Sequence, residues 1–207
     1  MITAIDADLT KMTPDEVVEG IEAAEEGGDV VKVVTFLDLT SSNEYGGEED
    51  WAEAAEAALD ALYRLVKGGA SVVSSSDNYL KAVFDSLNAW EEEDAIVEVG
   101  LGCIVSIASK ADKESSKDGD DVNDTDEIPV EFVLDLMKDF EDEQTIQEQS
   151  CLAMEGLALW KKRYKNVLAA AEGIKEELLA ARDQRITNER NKAYPVRAAK
   201  ALGIKLE

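Results

Sequence analysis

Histidine is absent from the 207 residues. That removes the side chain most used for proton transfer at neutral pH, His-based triads and most catalytic zinc sites. Neither a G-x-x-x-x-G-K-[ST] phosphate loop nor a G-x-G-x-x-G turn after a strand is present. Carboxylates are plentiful, at 46 Asp and Glu, but no pair is set apart by its spacing from ordinary solvated ones. Residues 118–127, DGDDVNDTDE, invite a calcium reading, which needs a Gly at the sixth position and a Glu at the twelfth. Counted from Asp118 the sixth position is Asn123; counted from Asp121 it is Asp126, and the twelfth is Phe132. Neither frame works, so this run reads as a solvated acidic loop. No catalytic residue, metal site or cofactor is expected, and the chain reads as a non-enzyme.

The remaining candidates are aromatic, thiol and charged groups. Trp90 shares its place in the pattern with Phe140, which argues for packing between helices. Trp160 precedes Lys161, Lys162, Arg163 and Tyr164, a set that reads either as core or as a cation-and-aromatic surface patch. Cys103 and Cys151 both fall on apolar stripes, so they read as buried reduced thiols and not as a disulfide framework.

Charge is unevenly spread. Residues 1–160 hold nine Lys/Arg against forty Asp/Glu, a net of −31, and residues 161–207 hold twelve against six, a net of +6. The total of −25 disfavours nucleic acid, whose phosphates would meet like charge. A basic protein partner fits better. So does a second copy joined acidic end to basic end, or a plain solubility role. No run of eighteen apolar residues and no signal-peptide pattern is present, so membrane insertion is not expected. The chain reads as soluble and intracellular, cytoplasmic or nuclear. Its last two residues, Leu206 and Glu207, match the kind of dipeptide that cloning leaves.

These groups must be held by helices, because Ala, Leu, Glu and Lys dominate and only three prolines occur. Residues 144–160, QTIQEQSCLAMEGLALW, repeat apolar positions at three- and four-residue spacing. The same pattern returns fifty residues earlier at 95–109, AIVEVGLGCIVSIAS. A small residue followed by Leu or Ile marks four helices, at Ala58/Leu62, Cys103/Ile107, Ala153/Leu157 and Ala198/Leu202. Intervals of 45, 50 and 45 predict a stack of similar units. A second series links Val83/Val133, Phe84/Leu134, Leu87/Met137 and Trp90/Phe140. Thr13-Pro14-Asp15-Glu16 opens the first helix with a capping box, and Gly27-Gly28 stops it. The Val-rich run 29–40 is expected as helix. Helices are also expected over 51–67, 79–90 with caps among Ser74–Asp77 by number, 129–140, 164–171, 175–182 and 195–202, with a polar link over 183–192.

Short helix, Gly-containing break, middle helix and longer signature helix make one unit. At Asn166-Val167-Leu168, Glu172-Gly173-Ile174 and Leu178-Leu179, and again at Ile146 to Ala153 with Leu157-Ala158, the chain resembles the armadillo-repeat family over roughly residues 51–203. HEAT repeats share much of the pattern. The resemblance implies an all-α, right-handed superhelical solenoid of about four units, with third helices lining a concave protein-binding surface. One domain spans 1–207, with units at roughly 13–68, 74–110, 128–162 and 163–205 and an acidic loop at 111–127. The groove it implies is lined by Glu53, Asp60, Glu98, Glu148, Gln149, Glu155, Arg197 and Lys200, acidic for most of its length and basic at the end. The nuclear-signal-binding armadillo proteins use a Trp and an Asn four residues apart on each third helix. Here those places hold Gly102/Ser106 and Leu152/Gly156, which argues against that substrate. The expected role is an adaptor or accessory subunit in a larger complex, with end-to-end self-association as the alternative.

Overall fold

A computed structural model describes residues 9–42, 49–71, 76–114 and 128–207. Among them are ten α-helices and no β-strand. They divide into two compact units, Met1–Ile107 and Ala108–Glu207, with the boundary falling inside one helix.

In the first unit, α1 is Pro14–Glu26, α2 Val30–Thr40, α3 Glu49–Gly68 and α4 Ser76–Ala89; α5, Asp94–Glu114, continues into the second. Thr13 opens α1 as expected: its Oγ1 accepts from the Glu16 N–H at 3.4 Å, while the Glu16 carboxylate accepts from the Thr13 N–H at 2.8 Å. Helix α2 buries Val30, Val33, Val34, Phe36, Leu37, Leu39 and Thr40 on several sides because it packs against α1, α3 and α4. A helix enclosed this way loses its apolar/polar period, which is why its Val-rich sequence resembles a strand. Two glycines let helices approach. A Cβ on Gly20 would lie 2.5 Å from the Phe36 ring, and one on Gly100 would lie 2.5 Å from Leu87 Cδ2. Trp90 is buried and its Nε1 donates to the Thr40 carbonyl at 3.3 Å.

The second unit holds the end of α5 from Ala108, then α6 Phe132–Asp139, α7 Gln144–Trp160, α8 Lys162–Ala170, α9 Ile174–Ala180 and α10 Ala193–Leu202. Here α7 contacts α6, α8 and α10, and α9 contacts α6, α8 and α10. A Cβ on Gly156 of α7 would lie 3.3 Å from that of Ala108.

All eight signature residues are buried: Ala58, Leu62, Cys103, Ile107, Ala153, Leu157, Ala198 and Leu202. Each fully buried Leu or Ile of this kind contributes roughly 1.5–3 kcal/mol relative to exposure.

Several boundaries differ from those the sequence suggests. Residues 111–114, expected in the acidic loop, continue α5, and Ala111 is buried there. Pro129 precedes α6 instead of opening it, with Val130 buried in the intervening turn. The start of the polar link is not a link: Ala181–Arg185 forms a π-helical turn that extends α9. The caps at Ser74 and Ser75 and the calcium-like run 118–127 lie outside the described residues.

Candidate functional site

The eight charged or polar positions on the signature helices separate into engaged and unengaged groups. On α7, Glu155 is half-buried and holds Arg197 of α10 with two contacts, Nε to Oε1 at 3.0 Å and Nη2 to Oε2 at 2.7 Å. Glu148, also half-buried, accepts from Gln144 Nε2 at 2.7 Å and from Asn191 Nδ2 at 2.8 Å. Gln149 is half-buried beside it, and Lys200 is exposed on α10. In the first unit, Asp60 is an ion-pair partner of Arg64, which also binds Glu25 through Nε at 2.6 Å and Nη2 at 2.8 Å. The Arg64 guanidinium holds the Glu25 carboxyl below its ordinary range.

Glu53 on α3 and Glu98 on α5 are different. Both are exposed, and neither makes a hydrogen bond or ion pair among the described residues. Their helices are neighbours: Cys103 Sγ of α5 donates to the Leu59 carbonyl of α3 at 3.1 Å, and a Cβ on Gly102 would lie 3.6 Å from the Tyr63 ring. Four residues before Glu53 stands Glu49, which with Trp90, Glu91, Glu92 and Glu93 lines a hollow of about 550 Å³. No Lys or Arg lines it. Spacing of four residues puts Glu49 and Glu53 on one face of α3, and Asp94 and Glu98 on one face of α5. The result is a run of unneutralised carboxylates along the first unit.

The thiols offer no nucleophile. Cys103 and Cys151 are free and buried, and desolvation pushes both well above the ordinary thiol range. Trp51 and Trp90 are core. Tyr164 is buried and Trp160 half-buried; Lys161 Nζ lies 4.9 Å from the Trp160 ring centre and 5.6 Å from that of Tyr164. Among the described residues no three His, Cys, Asp or Glu side chains converge as metal ligands, and no helix is long and apolar enough to cross a membrane.

Two features escape sequence inspection. Asp38 of α2 is half-buried, and burial first, then the Asp85 carboxylate of α4, push its carboxyl up to about 6, against the opposing pull of Lys81. Arg185, in the π-helical turn, reaches Gln147, Glu177 and Glu141 together. No local pattern marks either, because each depends on which helices come side by side.

Comparison with protein families, with characterised proteins and with solved structures finds no match to this chain.

Proposed function

We propose that this chain is a non-enzymatic interaction module, an armadillo-like helical stack that binds a basic segment of another protein along α3 and α5. The observation that carries this reading is the free state of Glu53 and Glu98, set against the engaged state of Glu148 and Glu155 at related positions. Carboxylates left without cations in a chain of net charge −25 generate a negative field that would speed and orient capture of a Lys/Arg-rich segment. The neighbouring pairs α3 with α5 and α7 with α10 support a stacked arrangement of signature helices, as does the burial of every signature residue. Two free, buried thiols fit an intracellular setting.

Titrating a fluorescent Lys/Arg-rich peptide tests the proposal. Binding is expected to weaken as salt rises, and the Glu53→Lys/Glu98→Lys double variant is expected to lose at least about tenfold in affinity. Equal affinity in the wild type and this variant would end the reading.

A further inference from the structure

We propose that a groove beside α10 receives the α1–α2 corner of a second copy of this chain. The groove encloses about 370 Å³, with Val196, Ala199, Ile204 and Leu206 as its apolar part and Arg182, Lys200 and Lys205 as its cations. Val196 leaves 47% of its surface open at the mouth of this groove. Arg182 is partly satisfied by Asp183, at 2.6 and 2.7 Å, but Lys200 and Lys205 make no ion pair among the described residues. A fitting occupant presents an aliphatic group beside carboxylates.

The chain carries such a group itself. Val31, in the first turn of α2, is 63% exposed, the most open large apolar side chain described. Glu26 at the end of α1 and Asp29, the cap of α2, both precede it and are exposed, and Lys32 follows it. One exposed valine is unremarkable. Its place just after two acids at the α1–α2 corner suits a groove whose apolar part is set among three cations, and the larger charge division of the chain has the same sense. Residues 161–207 carry +6 and residues 1–160 carry −31. Because corner and groove are different surfaces, each added copy leaves one of each free, so the contact propagates into rings or filaments instead of closing a dimer.

Whole-molecule repulsion at −25 opposes this contact, and ionic strength decides which effect wins. At about 0.1 M salt the screening length is about 10 Å, so mainly the charges at the contact are felt. Below that, the net charge dominates; near 1 M, at about 3 Å, the contact pairs are themselves screened. Self-association therefore peaks at intermediate salt.

The proposal uses neither Glu53 nor Glu98, so it stands or falls apart from peptide capture. Sedimentation velocity of the full chain over a concentration series tests it. The expected result is concentration-dependent assembly that is strongest at about 0.1 M salt. Lys200→Glu/Lys205→Glu and Glu26→Lys/Asp29→Lys are each expected to remain monomeric alone, since each sets like charges against like. Mixed in equal amounts, they are expected to assemble again, because the reversed groove of one accepts the reversed corner of the other. Val31→Ser, an exposed change that leaves the charges alone, is expected to weaken wild-type assembly. A wild type that stays monomeric at every salt concentration overturns the proposal. So does undiminished assembly of either charge variant alone, or a mixture of the two that fails to assemble.

Discussion

Arg185 donates from Nη1 to Gln147 Oε1 at 3.3 Å, and both side chains also donate to the Met137 carbonyl, Gln147 at 2.6 Å and Arg185 at 3.4 Å. Gln147 is fully buried and donates again to the Phe140 carbonyl at 2.9 Å. Together they supply donors to the Met137 carbonyl in the last turn of α6, and Gln147 shares the Phe140 carbonyl with the Glu143 N–H, which donates at 3.1 Å. Arg185 reaches the Met137 carbonyl because the π-helical turn carries it there, and Glu177 at 2.5 Å and Glu141 at 3.2 Å balance its charge.

Removing Arg185 is therefore expected to cost far more than a surface pair does. Its side chain is 15% exposed and that of Glu177 19%, so Arg185→Ala strands a mostly buried carboxylate and a buried amide. A loss of about 2–4 kcal/mol is expected in urea denaturation, whereas Lys138→Ala, which breaks the exposed pair with Asp135, is expected to cost at most about 1 kcal/mol. A loss below about 1 kcal/mol for Arg185→Ala would show that the cluster is not what ties α6 to α7 and α9.

Gly20 and Gly100 stand inside helices, where alanine ordinarily gains about 0.5–1 kcal/mol from helix propensity. Here the gain is outweighed. The new methyl would meet Phe36 or Leu87 at 2.5 Å, and overpacking of this kind costs about 1–3 kcal/mol. Gly20→Ala and Gly100→Ala are expected to lower the thermal midpoint. Gly68→Ala, with nothing within 4 Å of the new Cβ, is expected to leave it unchanged or raise it. Equal shifts at all three positions would contradict the close approach.

The same contrast shows what could be read from the chain itself. The small-then-Leu/Ile signature and the Thr13 capping box are local, and each survives intact in the structure. The charged face was readable only as a list of outward positions. Sequence spacing placed Glu53, Glu98, Glu148 and Glu155 in one class, but the structure gives Asn191 to Glu148 and Arg197 to Glu155 and leaves the first two free. Those partners lie more than forty residues away, where no periodicity reaches. Arg185 is hidden for a related reason: 183–192 is polar enough to read as a link, and only contact with α7 and α9 turns its start into structure.

Asp38 gives a pH dependence of defined sign. Its folded carboxyl is raised from 3.8 to about 6, so between those values the folded state binds more protons than the unfolded one. Stability from this group is therefore greatest below pH 4 and is lost as pH rises through 6. Allowing for its partial exposure, the effect is about 2 kcal/mol. Glu25 and Asp183, both held below the ordinary range, act in the opposite sense and lose their contributions on acidification. Asp38→Asn separates the terms. It is expected to stabilise the protein at pH 7 and to reduce the difference between pH 7 and pH 5, as measured by chemical denaturation. An asparagine variant less stable than wild type at pH 7 would contradict the assignment.

Glu155 and Arg197 provide the sharpest separation between holding helices together and recognising a partner. The Glu155 side chain is 15% exposed and that of Arg197 53%, so the pair is half in solvent and its coupling is expected near 1 kcal/mol. Glu155→Lys sets two cations together across α7 and α10 and is expected to lower stability, and Arg197→Glu in the same chain is expected to recover most of the loss. Glu53→Lys and Glu98→Lys break no contact among the described residues, so their stability cost is expected to be near zero while the capture of a basic peptide falls. A double-mutant cycle on denaturation midpoints, run beside peptide titrations of the same proteins, reads both effects. If Glu155→Lys weakens peptide capture as much as Glu53→Lys/Glu98→Lys does and costs no stability, its carboxylate belongs to recognition, and the division between engaged and free carboxylates fails.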